Sequence, residues 1–229
     1  MNKIVLGAVA GALAFTSISA QDEVADVEFA ANETAVVESS YDSVYAFLGI
    51  GGSFLESKAR LVDWSRNHDT NRFVGVIGLG GGKAFNGKFY AGAEALLDWG
   101  KTDKKTLYQD NGAEWGQSKS NGLRPAIALR LGYVCPNNFL AYLKFAGVWS
   151  KASLEGPNAN GVRTKKNINK FVPEIDLGVE KAFCKKFSTR IEAGYVWRAK
   201  QTNCIIDNLT VEANKGWNVR ALVAYNIKY

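Results

Sequence analysis

The sequence predicts an all-β fold, an eight-stranded antiparallel up-and-down transmembrane β-barrel with short periplasmic turns and long extracellular loops. Apolar and polar residues alternate in many segments of residues 43–229, which is the pattern of strands with one apolar face. The composition agrees, because 23 glycines, 4 prolines and 12% aromatic residues suit strands joined by polar loops. The mean hydropathy of −0.13 is compatible with a membrane barrel, since alternating strands average near zero.

Residues 1–20 have the pattern of a secretory signal peptide. Lys3 gives a basic start, an apolar run extends from Ile4 to Phe15, and small residues precede Gln21. The run is too short for a permanent transmembrane helix. No other segment approaches 18 apolar residues, so we expect an exported chain that crosses its membrane with strands.

Residues 21–42 form an acidic leader with seven acids and no base. This composition is typical of a solvated, disordered segment, and a short amphipathic helix is the alternative. Residues 43–229 carry 27 basic and 15 acidic side chains, a net charge of +12. In an exported chain this charge favours lipopolysaccharide phosphates or other anionic surfaces as partners, and we expect no nucleic-acid partner.

Eight segments between 43 and 229 are predicted as strands, separated by connections that are alternately short and long. The short connections contain FNGK, CPNN and CKK, and Asn86-Gly87 is the strongest hairpin signal among them. Tight turns at one end and long loops at the other are the plan of an outer-membrane barrel. The predicted strands are 43–54, 73–85, 88–99, 123–134, 139–150, 171–183, 187–198 and 217–229, and the predicted long loops are 55–72, 100–122, 151–170 and 199–216.

The alternation also predicts which face of each strand contacts lipid. In the last strand Trp217, Val223 and Tyr225 share an apolar face, whereas Arg220 and Ala224 lie on the opposite face. A soluble barrel would place the apolar face inside, around an apolar pocket. Aromatic residues lie near strand ends, as in the interfacial girdles of membrane barrels. We therefore expect the apolar face to contact lipid, the charged face to line the lumen, and the protein to reside in the outer membrane.

The predicted inward face mixes acids and bases in nearly equal numbers. Unpaired charge in a narrow interior would be costly, so we expect these side chains to neutralise one another. They are Glu94, Asp98, Glu174, Asp176, Glu180 and Glu192, with Arg124, Arg130, Lys144, Arg190 and Arg220.

Three stretches resemble a known family: YAGAEALLDW (90–99), LRLGY (129–133) followed by YLKFAGVW (142–149), and GVEKAF with STRIEAGYVW (within 178–197). They are similar to the eight-stranded transmembrane domain of the outer-membrane protein A family and its small relatives of the outer-membrane protein X type. The likeness extends more weakly over 43–229. It implies a mostly closed lumen, whose ion pairs can switch to admit ions, and assembly by the barrel-assembly machinery. The implied interior ion-pair network comprises Glu94, Arg130, Lys144, Glu192 and Arg220.

Two of the three cysteines, Cys135 and Cys184, lie in predicted tight turns at the periplasmic end. In an oxidising compartment these two could form a disulfide. Cys204 lies in the last long loop and is expected at the opposite end of the barrel.

No cofactor, metal site or catalytic site is predicted. His68 is the only histidine and lies in the first long loop, without the convergent partners that a metal site or a Ser–His pair needs. The stretches GIGGSF and GLGGGK fit neither the G-x-G-x-x-G nor the P-loop pattern. We expect their glycines to let crowded strands approach and bend.

Three functions remain open on the sequence alone. The leading one is a non-enzymatic outer-membrane protein of a Gram-negative-type envelope that presents surface loops for adhesion, host contact or envelope integrity. Its expected partners are outer-membrane lipids, lipopolysaccharide and host surface molecules. A small low-conductance pore is the first alternative, and a lipid A-modifying barrel enzyme is the second.

Overall fold

All regular structure in the described part of the chain is β-strand. The computed structural model describes residues 41–61, 64–101, 105–110, 113–119, 121–157, 162–197 and 210–228. No helix in these ranges is long and apolar enough to cross a membrane. The strands are β1 (Ser43–Leu61), β2 (Trp64–Phe85), β3 (Phe89–Lys101), β4 (Lys105–Asp110), β5 (Ala113–Lys119), β6 (Asn121–Cys135), β7 (Phe139–Pro157), β8 (Arg163–Ala182), β9 (Phe187–Val196) and β10 (Thr210–Lys228).

Eight of these strands close into an antiparallel barrel. Their order around the ring is β1, β2, β3, β6, β7, β8, β9 and β10, and β10 pairs back onto β1. The β7–β8 pairing completes the ring on the opposite side. Closure leaves these strands without an exposed edge, so their backbone polar groups can be satisfied inside a membrane. The predicted eight-stranded fold is confirmed.

The tight turns follow the sequence signals. Asn86 and Gly87 have φ angles of 52° and 66°, and the Lys88 amide donates to the Phe85 carbonyl at 3.1 Å. The connection has three residues, 86–88, since Phe85 pairs with Phe89, and Asn and Gly are the residues that most readily adopt its two consecutive positive φ values. In the β6–β7 turn, Asn137 and Asn138 adopt the same left-handed region, with φ angles of 62° and 58°.

The strands extend farther at the loop end than the sequence predicts. The β1–β2 pairing continues to Leu61 opposite Trp64, and the β7–β8 pairing to Pro157 opposite Arg163. The predicted loops 55–72 and 151–170 are therefore mostly paired strand, and β10 already begins at Thr210 within the predicted loop 199–216. Backbone pairing needs no apolar face, whereas the alternation that identifies strands fades where neither face contacts lipid.

An additional hairpin occupies the predicted loop 100–122. Its strands β4 and β5 pair with each other, and β5 continues onto β7 through residues 117–119 opposite 153–155. This hairpin lies outside the closed ring and adds a short sheet at the loop end.

The direction of the side chains confirms the predicted faces. Leu177 and Val223 are 62% and 45% exposed, whereas Asp176 and Ala224 beside them are fully buried. The exposed face is apolar and is bounded by aromatic belts. In β10, Trp217 lies on the loop side of the apolar face and Tyr225 lies near the turn-side end of the strand. From Trp217 to Tyr225 the strand has nine residues, which matches the ~9–11 residues that a tilted β-strand needs to cross a bilayer. The structure is an outer-membrane β-barrel.

Two residues before β1, Tyr41 and Asp42, contact the barrel at the turn end, and the first strand begins at the predicted residue 43. The Tyr41 side chain is buried at the turn end, and its hydroxyl donates to the Asn138 carbonyl at 2.5 Å, with the Glu180 carbonyl 3.3 Å away. Burial raises the pKa of Tyr41, which keeps this hydroxyl a donor. The Asp42 carboxylate accepts from the Ala84 amide at 2.6 Å. These two residues were predicted to belong to the leader; residues 1–40, with the predicted signal peptide, lie outside the described residues.

We predict that Leu177→Arg lowers the free energy of unfolding in lipid vesicles by about 2–4 kcal/mol, because it places a charge near the middle of the lipid face. Leu177→Met is the control and should be close to neutral, since the side chain contacts lipid and leaves no cavity. Urea titration of the refolded variants measures both. Equal tolerance of Arg and Met would show that this face does not contact hydrocarbon.

Candidate functional site

The inward side chains of the eight barrel strands form a buried charged lumen. Among the described residues, six acidic and six basic side chains are each at most 8% exposed, so their formal charges cancel. They are Glu94, Asp98, Glu174, Asp176, Glu180 and Glu192, with Arg72, Arg124, Arg130, Lys144, Arg190 and Arg220.

The layer nearest the turns, the turn-side layer, contains two arginines and two glutamates. Arg130 Nη1 lies 3.1 Å from Glu94 Oε1, and its Nη2 lies 2.6 Å from Glu180 Oε2. Arg190 contacts the same two carboxylates, at 2.7 Å from Glu94 Oε1 and 2.9 Å from Glu180 Oε2. Each charge therefore has two opposite charges, and the four side chains close into a ring.

Two tyrosines surround this layer. The Tyr45 hydroxyl donates to Glu94 Oε1 at 2.9 Å and accepts from Arg130 Nη1 at 3.0 Å. The guanidinium carbon of Arg130 lies 3.8 Å from the centroid of the Tyr142 ring, a cation–π contact. The Tyr142 hydroxyl donates to Glu192 Oε1 at 2.8 Å, which links the turn-side layer to the next one.

Inward-facing glycines make room for these rings. A Cβ at Gly80 would collide with the Tyr45 ring, and a Cβ at Gly178 would collide with the Tyr142 ring. The glycine-rich stretch GLGGGK (78–83) therefore contributes lumen space for a tyrosine on the neighbouring strand.

The middle layer is centred on Lys144. Its ammonium contacts Glu192 and lies 3.1 Å from Asp176 Oδ2. Arg220 Nη1 lies 3.3 Å from the same Asp176 oxygen and 2.6 Å from Glu174 Oε1. Three carboxylates and two cations share this layer.

The layer nearest the loops, the loop-side layer, is centred on Asp98. Its carboxylate lies 2.5 Å from Arg124 Nη2, 3.3 Å from Arg72 Nη2 and 3.7 Å from Arg220 Nη2. Arg220 thus contacts carboxylates of both the middle and the loop-side layers and joins them.

The structure places the five predicted network residues in the lumen but not in one cluster. Glu94 and Arg130 contact each other in the turn-side layer, and Lys144 contacts Glu192 in the middle layer. Arg220 is 3.9 Å from Glu192, and its shortest contact is with Glu174, which was not in the predicted network.

Several members of the network lie outside the predicted set of five. Arg190 and Glu180 complete the turn-side ring, and Asp176 bridges Lys144 and Arg220. These three were recognised as inward-facing, but alternation does not show which inward side chains meet across a lumen. Arg72 was missed because it lay in a predicted loop, although it has the inward parity of Val74.

Cys135 and Cys184, which could form a disulfide on the sequence alone, are both free thiols in the structure. Cys135 ends β6 and Cys184 follows β8, so β7 lies between them. Two inter-strand spacings amount to ~10 Å, beyond the ~7 Å that a disulfide allows between Cα atoms. Cys204 lies outside the described residues.

His68 belongs to strand β2 and pairs with Ser57 of β1, rather than lying in a loop. Among the described side chains, no group of three or more His, Cys, Asp or Glu residues is arranged to hold a metal ion.

Neither a protein-family model nor a curated protein matches the chain. Among solved structures, it is similar to the outer membrane protein OprG from Pseudomonas aeruginosa, with 13% identity, a TM-score of 0.48, and coverage of 84% of this chain and 100% of that one. It is similar to the attachment invasion locus protein Ail of Yersinia pestis, with 10% identity, a TM-score of 0.37, and coverage of 79% and 97%. For the outer membrane protease OmpT from Escherichia coli the values are 11%, 0.41, 85% and 100%.

The names of these solved structures indicate different roles. Because their TM-scores are below 0.5, the similarity supports no statement about the function of this chain. The assignment to the outer membrane is supported by this chain's own closed ring of strands, its apolar exterior and its charged interior.

We predict that Glu94→Gln lowers the free energy of unfolding by about 3–5 kcal/mol, because two arginines of the turn-side layer must then share Glu180. The double change Glu94→Gln with Arg130→Met should cost less than the sum of the two single changes. It leaves the Arg190–Glu180 pair, at 2.9 Å, intact and balanced. Urea unfolding of all four proteins in vesicles gives the coupling energy.

Additive effects in this cycle would contradict a closed network. They would mean that water solvates the two side chains independently, and that the lumen is a wet channel.

Proposed function

We propose that this chain is a non-enzymatic outer-membrane protein of a Gram-negative-type envelope, whose loop end is a rigid contact surface for adhesion, host contact or envelope integrity. The observation that carries the proposal is a paired-strand extension above the loop-end aromatic belt, on a barrel whose lumen is filled by compensated charge. Buried side chains leave little space in this lumen for a solute to pass. A contact function, in contrast, requires only that the paired strands extend beyond the membrane.

The extension is long enough to stand clear of the membrane. Trp149 of β7 lies in the loop-end belt, opposite Phe171 of β8, and the pairing continues eight residues farther to Pro157 opposite Arg163. This is about 26 Å of paired backbone at ~3.3 Å per residue. Because paired strands are already ordered, a partner that binds them loses less free energy to ordering than it would on a flexible loop.

The charge of the extension indicates the class of partner. Residues 151–170 contain five bases and one acid. This composition supports an anionic partner, either lipopolysaccharide phosphates or acidic groups on a host surface.

The test is a barrel without the β7–β8 extension. Ser150 and Lys170 are directly paired, so Asn-Gly can replace residues 151–169 as a two-residue turn. We expect the variant to keep the gel-mobility shift of a folded barrel on boiling, and to lose adherence to host cells or resistance of the envelope to detergent. Unchanged adherence together with unchanged detergent resistance would contradict a contact role for this surface.

A small pore is the second candidate, and one feature of the lumen favours it. The buried amide of Asn218 and the Nε atoms of Arg72 and Arg220 make no hydrogen bond within the described residues, so they offer polar positions along the lumen. Single-channel recording in planar bilayers separates the two functions. We expect no discrete conductance steps from the wild type, and larger currents when Arg220→Ala removes the link between two layers. Regular steps from the wild type would support the pore.

The third candidate is a lipid A-modifying enzyme. Mass spectrometry of lipid A after incubation with the refolded protein tests it, and we expect an unchanged mass.

A further inference from the structure

We propose that the Tyr41 side chain is a plug, which closes the turn end of the lumen and keeps water and ions away from the turn-side layer. Tyr41 precedes β1, and the pairing of β1 with its two neighbours begins at Ser43 and Val44. The Tyr41 side chain can therefore leave its position while every strand of the ring stays paired. This role does not depend on the contact function proposed above.

The Tyr41 side chain spans the lumen from one wall to the opposite wall. Its hydroxyl donates to the Asn138 carbonyl at 2.5 Å and to the Glu180 carbonyl at 3.3 Å. Asn138 immediately precedes β7, and Glu180 belongs to β8. In the order around the ring, β7 is four strands away from β1 in both directions, and β8 is the strand beside it. The Tyr41 ring therefore lies in the cross-section of the lumen.

Buried apolar side chains surround Tyr41 at this level. Tyr90 of β3, Leu140 of β7 and Ala182 of β8 are all buried and belong to one cluster with Tyr41. The rings of Tyr41 and Tyr90 meet edge to face, with centroids 6.4 Å apart and an interplanar angle of 74°. Side chains from several walls thus meet Tyr41, and its ring occupies the space between them.

The cluster lies next to the turn-side layer. Tyr90 pairs with Gly132, which is one inward position nearer the turn than Arg130. The guanidinium carbon of Arg130 lies 5.3 Å from the centroid of the Tyr90 ring. Toward the turn end, Arg130 is therefore followed first by Tyr90 and then by Tyr41. Removal of the Tyr41 ring would open a path for solvent to the first ion pairs of the lumen.

The strength of those ion pairs depends on the exclusion of water and salt. The attraction between two charges is about fourfold stronger at an effective dielectric constant of about 20 than in water. Dissolved salt screens exposed charge pairs, whereas it screens buried pairs much less. With the plug in place, the interaction between Glu94 and Arg130 should be insensitive to salt. Without the plug, it should become weaker as the salt concentration rises.

The experiment measures the effect of salt on the coupling between Glu94 and Arg130 in the full-length protein. The coupling energy is obtained from urea unfolding in vesicles of the parent, Glu94→Gln, Arg130→Met and the double variant, at about 0.1 M and about 1 M KCl. The same cycle is repeated in a Tyr41→Ala background, which lacks the ring. Gel mobility with and without boiling shows that each variant is folded.

Two further backgrounds serve as controls. Tyr41→Phe keeps the ring and removes both hydrogen bonds of the hydroxyl, so it separates the plug from the tie to the opposite wall. Leu55→Ala removes a buried apolar side chain from the cluster at the loop end, so it reports the effect of lost packing far from Tyr41.

We expect the coupling to change little with salt in the wild type, in Tyr41→Phe and in Leu55→Ala, and to fall by about half or more at the higher salt concentration in Tyr41→Ala. A coupling that is insensitive to salt in Tyr41→Ala would overturn the proposal. An equal fall in Tyr41→Phe would assign the effect to the hydroxyl, and an equal fall in Leu55→Ala would assign it to lost packing. Either result would also overturn the plug.

If Tyr41→Ala does not refold, Tyr41→Leu takes its place. A leucine side chain is too short to reach the opposite wall, so the coupling should still fall with salt, by about a third or more. An unchanged coupling in Tyr41→Leu would then overturn the proposal.

Discussion

Charge compensation inside the lumen is the constraint on which the rest of this barrel depends. An eight-stranded ring is filled by its own side chains, so an inward-facing charge must find its counter-charge on the protein. Arg220 shows how demanding this is, since it lies within 4 Å of carboxylates on β3, β8 and β9. The network therefore connects strands across the lumen that share no backbone hydrogen bonds.

The same alternation that builds the network also builds the exterior. Each strand residue that brings a charge inward is flanked by residues that face outward, as Asp176 is flanked by Ile175 and Leu177. A shift of one residue in any strand would exchange the two sets, placing charges in lipid and apolar groups against the ion pairs. The register of the barrel is thus specified from both of its surfaces.

Much of the fold could be predicted because period-two alternation is a local property of the chain. It gave the inward direction of Arg220 and the outward direction of Leu177, and Asn86-Gly87 identified its hairpin. Alternation carries no information on stagger, so it could not show that Arg190 reaches Glu94 across the lumen. The alternation also ends above the loop-end aromatic belt, so the sequence did not reveal that Arg72 lies in a strand.

Two further features depended on the three-dimensional arrangement alone. The separation of Cys135 and Cys184 follows from the position of β7 between their turns. Tyr41 shares the inward parity of Ser43 and Tyr45, but alternation could not show that its hydroxyl reaches the Asn138 carbonyl.

Tyr41 has a consequence for the order of assembly. Its hydroxyl lies against carbonyls that are 97 and 139 positions farther along the chain, on the side of the ring away from β1. Contacts of such separation close large loops and form late in folding. Tyr41 reaches both carbonyls only after the β6–β7 turn and β8 are in place, and it then ties the β1 side of the β1–β10 seam to the far wall. Opening that seam requires the release of these hydrogen bonds, so Tyr41, two residues before the first strand, helps to keep the finished ring closed.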